Sequence, residues 1–164
     1  MKTEKEFYEL VRRNLEEYFC KRAEECFFEI TAEKVGDKIM EKLSDEVLFL
    51  IGSKELRPDI MGYVKVPIGL GLFLHSEFKV AVEVKNGKPT VNDIFQAKKY
   101  GELYNAAISI LISTDKPEER VLRLLERRKE LLSYYYGYYH LYLARFSKEE
   151  KKIVWWYPEE PRKV

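Results

Sequence analysis

Three short segments of this chain carry side chains that could hold a metal ion beside a phosphate. Asp59 follows Pro58, Glu83 and Lys85 lie two residues apart, and Gln96 follows shortly after. Hard cations such as Mg²⁺ prefer oxygen ligands, often one or two carboxylates with water and substrate phosphate. A lysine beside such a site can hold the attacking water or neutralise charge that develops on the phosphate. The set predicts phosphodiester chemistry, which needs no histidine.

The two acidic residues must be brought together by neighbouring strands. Residues 78–85 alternate as a strand, with Val80 and Val82 on one face and Glu83 and Lys85 on the other. If this strand pairs with one that begins near Asp59, a carboxylate from each converges on one ion. The backbone carbonyl of Val84 is placed to complete the ligand set. The alternative is that Glu83 and Lys85 form an ordinary ion pair on a half-exposed strand.

A helix after the strand is predicted to supply contacts to a nucleic-acid strand. Gln96, the only glutamine in the chain, and Tyr100 are four residues apart and share one helix face, with Lys99 beside them. A glutamine amide can orient the lysine, a water or a phosphate, and a tyrosine can stack or hydrogen-bond on the strand. The alternative is that Gln96 is a solvated helix position and Tyr100 is part of the core.

The elements that must position these residues form an alternating α/β pattern. Thr90 and Asp93 predict a capping box at the start of the helix that carries Gln96. Residues 26–30 read either as a short strand or as a continuation of the first helix. The order predicts a central mixed β-sheet flanked by helices. The predicted helices cover 3–24, 31–43, 90–104 and 117–132; the predicted strands cover 47–51, 56–66, 78–85, 107–113 and two segments within 134–157.

The motifs, taken in order, resemble those of the PD-(D/E)xK nuclease superfamily. They read Pro58-Asp59, Glu83-Val84-Lys85 and Gln96-xxx-Tyr100, and the Gln-Ala-Lys-Lys-Tyr wording resembles the RecB-like and type I restriction-subunit branch. The match spans about residues 47–113.

This resemblance implies a restriction-endonuclease-like core and Mg²⁺- or Mn²⁺-dependent cleavage of DNA, as an endo- or exodeoxyribonuclease. It makes Asp59, Glu83 and Lys85 the catalytic residues, with Asp59, Glu83 and the Val84 carbonyl on the metal. The family often adds a glutamate from the first helix. Four glutamates compete for that role: Glu6, Glu9, Glu16 and Glu17.

Composition sets the class of protein and its surroundings. The 164 residues predict one domain, and the net charge of +1 gives no global basic field that would indicate nucleic acid. The abundance of Lys and Glu, with almost no Gln, is typical of proteins from hot environments. Cys20 and Cys26 lack zinc-finger spacing and are interpreted as free thiols in a reducing cytoplasm.

Membrane insertion is not expected, and a dimer is possible. The N-terminus shows no signal peptide, and the longest apolar run, residues 66–74, is too short to span a bilayer. That run is a candidate homodimer contact. Two hypotheses compete with a DNA-cleaving enzyme: a non-cleaving nucleic-acid-binding module with the nuclease fold, and an α/β interaction protein with no metal site.

Overall fold

A mixed β-sheet forms the centre of the fold, with helices on both faces. The computed structural model describes residues 4–67 and 77–161. The helices are α1 (Glu4–Phe19), α2 (Asp37–Glu41), α3 (Asp45–Ile51), α4 (Val91–Leu103) and α5 (Glu119–Arg127). The strands are β1 (Glu25–Ile30), β2 (Ile60–Lys65), β3 (Glu77–Lys85), β4 (Ile108–Ser113), β5 (Ser133–Tyr134), β6 (Tyr139–Ser147) and β7 (Lys152–Tyr157).

Strand β3 lies at the middle of the sheet, which runs in the order β1-β2-β3-β4-β6 with β5 and β7 both paired to β6. Strands β3, β4 and β6 are parallel, and the other pairings are antiparallel. Val80, Ala81 and Val82 are fully buried because both faces of β3 are covered. The predicted strand 78–85 and the capping box of Thr90 and Asp93 are both confirmed.

Helix α1 covers one face of the sheet and reaches across to β6 and β7. The rings of Phe7 and Phe146 lie 5.4 Å apart between centroids. The Asn14 side chain donates to the carbonyl of Lys151 (3.0 Å) and accepts from the N–H of Ile153 (3.2 Å). The helix is therefore fixed by strands that lie far away in the chain. Its buried stripe consists of Phe7, Val11, Leu15 and Phe19.

The predicted buried strand at residues 47–51 is wrong, because this segment forms α3. Asp45 and Glu46 stand in the first turn, where carboxylates complement the positive end of the helix dipole. Only Ile51 of α3 is buried, and Phe49 is 74% exposed. An apolar run with one covered side fits a surface helix, whereas a central strand would bury both faces.

Two predicted helices are shorter in the structure. The helix expected over residues 31–43 is reduced to α2, since Thr31 is buried and donates its hydroxyl to the carbonyl of Pro58 (2.6 Å). The helix expected over residues 117–132 ends at Arg127 and is followed by a 3₁₀ turn, Lys129–Leu132. The ambiguous segment at residues 26–30 belongs to strand β1.

The interpretation of Cys20 and Cys26 as free thiols is wrong. The two residues form a disulfide, with 5.4 Å between their Cα atoms, that joins the end of α1 to β1. Disulfides persist in oxidising compartments and also in intracellular proteins of hyperthermophiles. The bond is therefore compatible with the hot habitat that the composition predicts.

Within 4–67 and 77–161, no helix combines the length and apolar character that a membrane span requires. Most of the candidate dimer contact at residues 66–74 lies outside the described residues.

Exchange of Gly62 for alanine is expected to destabilise the fold by about 1–3 kcal/mol, because it overpacks the core. Gly62 lies opposite Phe28 in the β1–β2 register, and an added Cβ would stand 2.3 Å from Cε1 of that ring. Phe28 is only 2% exposed and has no room to move. The measurement is urea unfolding, with Gly52→Ala as control, since its nearest neighbour is 3.4 Å away. Equal unfolding midpoints for the two variants would contradict this account.

Candidate active site

Asp59 and Glu83 face each other at the ends of adjacent strands. Ile60 pairs with Val82 in the β2–β3 register, so one further residue places Asp59 opposite Glu83. Residues directly opposite in an antiparallel pair share a face of the sheet. The two carboxyl groups are close enough for each to shift the pKa of the other, and both side chains are partly buried. The structure thus brings together two acidic residues that are far apart in the chain.

The carboxylate of Asp59 is held on both oxygens. The Tyr8 hydroxyl donates to Oδ1 (3.3 Å), and the backbone N–H of Val84 donates to Oδ2 (2.8 Å). The backbone is anchored as well, because Thr31 donates its N–H to the carbonyl of Asp59 (2.8 Å) and its hydroxyl to that of Pro58 (2.6 Å). Strand β1, strand β3 and helix α1 therefore fix the position of this acid together.

Gln96 on helix α4, the glutamine that the sequence analysis identified, holds Glu83 in position. The Gln96 amide Nε2 donates to Glu83 Oε1 (2.8 Å) and to the Tyr100 hydroxyl (3.1 Å). The Tyr100 hydroxyl lies 3.4 Å from the carbonyl of Glu55, to which Lys99 also donates from Nζ (3.4 Å). The Lys99 ammonium lies 4.9 Å from the centre of the Tyr100 ring. These contacts place Gln96, Tyr100 and Lys99 around Glu83.

The environment of the pair favours a retained proton. Burial and the charge of Asp59 raise the pKa of Glu83 to about 8. Burial also raises the pKa of Asp59, although the hydrogen bonds from Val84 and Tyr8 oppose this effect. Burial and the nearby Glu83 raise the pKa of Tyr100 to about 12. Without a cation, the pair therefore shares a proton near neutral pH.

Lys85 lies on the face of Glu83, but its ammonium is paired elsewhere. Its Nζ contacts Asp93 Oδ1 at 3.1 Å, with 42% of the lysine side chain exposed and 16% of the aspartate side chain. Burial would raise the pKa of Asp93, but the hydrogen bonds from Thr90 and the contact with Lys85 lower it. The lysine whose charge lowers the pKa of Glu83 is Lys99. The structure therefore pairs Lys85 with Asp93 and places Lys99 among the charges that act on Glu83.

Two of the four first-helix glutamates considered from the sequence are engaged by Arg12. Glu9 and Glu16 each contact this guanidinium at 2.6 Å. Glu6 and Glu17 are exposed.

Glu4 and Tyr8 were missed by the sequence analysis. The Tyr8 hydroxyl lies 2.9 Å from Glu4 Oε1 and 3.3 Å from Asp59 Oδ1, so its single proton is shared between the two acids, and the charge of Glu4 raises the pKa of Asp59. Tyr8 and Asp59 are 51 residues apart, so no local pattern indicates the contact. Glu4 is thus the first-helix glutamate linked to the pair, through one tyrosine.

The donor set at the pair fits a hard divalent cation. Among the described residues, no three His, Cys, Asp or Glu side chains form a group that could hold a metal ion, and the pair itself offers only two carboxylates. The N–H of Val84 points toward Asp59, and a strand residue directs its N–H and C=O to the same neighbour. Two carboxylates and one carbonyl leave positions for water and phosphate oxygens, the arrangement that Mg²⁺ favours.

Comparison of the chain with family models, curated proteins and solved structures finds no match.

Proposed function

We propose that this chain is a metal-dependent nuclease that hydrolyses phosphodiester bonds of DNA. The proposal includes a restriction-endonuclease-like core, on the resemblance of the motifs around Asp59, Glu83 and Lys85. Two observations support the proposal: the central sheet is mixed, and Asp59 and Glu83 lie opposite each other on adjacent strands.

One observation carries the proposal: Glu83 lies opposite another acid, Asp59, instead of pairing with Lys85. An ordinary surface ion pair would place the ammonium of Lys85 on Glu83. Bringing Asp59 and Glu83 together in a partly buried site costs free energy, which a cation would recover. Acids whose pKa values are shifted by burial and by each other cluster at functional sites.

Each side chain of the site has a role in this proposal. Asp59, Glu83 and the Val84 carbonyl hold the Mg²⁺ or Mn²⁺, which when bound supplies Lewis acidity and a more acidic water. Gln96 fixes the orientation of Glu83 through its amide (2.8 Å). Lys85, whose side chain is 42% exposed, neutralises negative charge that develops on the phosphate.

Lys99 contacts the DNA strand in this proposal. It lies on helix α4 and is half-buried, and its ammonium attracts phosphate. The expected contact between Tyr100 and DNA is wrong, because only 3% of this residue is exposed and its ring packs in the core, the alternative that the sequence left open.

A non-cleaving DNA-binding module is the second candidate, and the position of Lys85 favours it. Its ammonium is held by Asp93 at 3.1 Å, away from the acidic pair. In such a module the cation would still bind at Asp59 and Glu83, but no group would assist the water.

The test is incubation of linear, nicked, branched and single-stranded DNA with Mn²⁺ or Mg²⁺. We expect the wild type to cleave at least one substrate, and Lys85→Ala to lower the rate by about a hundredfold or more. Lys21→Ala removes an equal charge from the exposed turn after α1 and should leave the rate unchanged. Equal rates for wild type and Lys85→Ala would remove Lys85 from the mechanism. Metal binding without cleavage of any substrate would leave the non-cleaving module.

A further inference from the structure

A polar cleft of about 460 Å³ opens where the three parallel strands end. Gly87 follows β3, Thr114 follows β4, and Ser147 is the last residue of β6. In sheets with parallel strands, ligands bind in the crevice outside the carboxyl ends of the strands. Glu83 is near the same end of β3, so a chain-like substrate bound at the acidic pair can continue into this cleft.

Arg145 lies in the cleft with most of its hydrogen-bonding capacity unused. It is partly buried and aligned with Lys85 across the sheet, through Ser113 of β4. Its Nε donates to the carbonyl of Thr114 at 3.4 Å. Within the described part of the chain, no carboxylate forms an ion pair with this guanidinium. The planar fork of an arginine is suited to bind two phosphate oxygens at once.

Lys148 holds a second positive charge at the rim of the cleft through neutral contacts. Its Nζ donates to Asn86 Oδ1 (2.8 Å) and lies 5.6 Å from the centre of the Phe7 ring. Phe7 precedes Tyr8, which binds Asp59 on the other side of this end of the sheet. The ammonium is therefore positioned at the rim of the cleft by contacts that leave its charge in place.

Two exposed acids, Asp115 and Glu149, also line the cleft. The formal charges of the lining residues therefore cancel, and the cleft has no net attraction for anions. Among the residues that the structure describes, however, neither acid forms an ion pair with Arg145 or Lys148. The attraction is local to the two cations, so it favours a ligand that places one phosphate directly between them.

We propose that this cleft binds a second phosphate of the DNA strand that is cleaved at Asp59 and Glu83, an inference that rests on the proposed function. Arg145 is two strands away from Glu83, or about 10 Å at the usual strand spacing. That distance corresponds to roughly three nucleotides at about 3.4 Å per nucleotide. Arg145 and Lys148 would thus set the direction in which the strand leaves the acidic pair.

The test measures the salt dependence of binding to a short DNA duplex in EDTA, where cleavage cannot occur. The double variant Arg145→Gln/Lys148→Gln should lower the magnitude of the slope of log K against log salt by about 0.9, the loss of one phosphate contact, and each single variant should lower it by less. Lys148 is exposed, so its variant tests the cleft even if Arg145→Gln fails to fold. Lys21→Gln, with the same change in net charge as each single variant, should keep the wild-type slope.

The outcomes separate this inference from the proposed function. Wild-type slopes for both cleft variants, or no DNA binding by the wild type, would overturn the phosphate site. If both cleft variants keep the wild-type slope and still cleave DNA with Mn²⁺, the nuclease proposal stands and only the phosphate site in the cleft is refuted. Slopes reduced as expected, in a protein that cleaves no DNA, would support the cleft and refute the nuclease.

Discussion

Exchange of Glu83 for glutamine is expected to lower the rate of DNA cleavage by about a thousandfold or more, without unfolding the protein. The change removes one of the two carboxylates proposed to hold the metal, and with it the charge that the cation needs. The fold tolerates the change because Glu83, with a pKa of about 8, is mostly protonated in metal-free protein at neutral pH. A neutral glutamine resembles that protonated acid in shape and in hydrogen bonding to Asp59.

The measurement combines the cleavage rate with calorimetric titration of Mn²⁺. Glu83→Gln should lose both cleavage and metal uptake, while its free energy of unfolding in EDTA stays at or above that of the wild type. Glu102→Gln, which removes an exposed carboxylate of helix α4, is the matched control and should change neither. Metal uptake by Glu83→Gln at wild-type affinity would exclude this carboxylate as a ligand. The proposed function would then lose its main support.

The free energy of unfolding of metal-free protein is expected to fall as pH rises from about 5 to about 8. The pKa of Glu83 is raised from 4.5 to about 8 in the folded state, so between these values the folded chain binds the additional proton. Stability falls with pH wherever the folded state binds more protons than the unfolded state. One such group changes the free energy by about 1.4 kcal/mol per pH unit. The raised pKa of Asp59 acts in the same direction.

Chemical denaturation at several pH values in EDTA measures this trend, and Glu83→Gln supplies the reference. The variant lacks the titrating carboxyl, so its stability should change less across the same window. Added Mg²⁺ should restore wild-type stability at pH 8, since the cation favours the ionised pair, and should have little effect on the variant. Identical pH profiles for the two proteins would show that Glu83 does not carry the retained proton.

The part of the candidate site formed by strand β3 and helix α4, which are neighbours in the chain, could be predicted from the sequence. The alternation of residues 78–85 predicts strand β3, and the capping box predicts the start of helix α4. Glu83 and Gln96 are therefore predicted to lie on neighbouring elements. Their contact spans 13 residues and depends on one strand-to-helix connection. The structure adds what spacing could not supply, namely that Lys85 turns to Asp93.

The contact between Tyr8 and Asp59 could not be predicted, because it depends on packing between segments that are far apart in the chain. Tyr8 reaches Asp59 only because α1 lies across the sheet, and its contacts with β6 and β7 come from residues far along the chain. The error at α3 has a similar origin. Five apolar residues in a row predict a buried strand, yet Leu48 and Phe49 are exposed. The better signal was the pair Asp45 and Glu46, because acidic residues are typical of the first turn of a helix.

The ring of Phe7 packs against Phe146, so part of the packing of helix α1 forms only after the late strands have been synthesised. Until β6 and β7 leave the ribosome, α1 can pack on β1 and β2 but lacks the contacts of Phe7 and Asn14 with the late strands. A nascent chain would therefore carry both acids while its site is still incomplete. If the proposed function holds, such timing would delay a complete acidic site until almost the whole chain has been made.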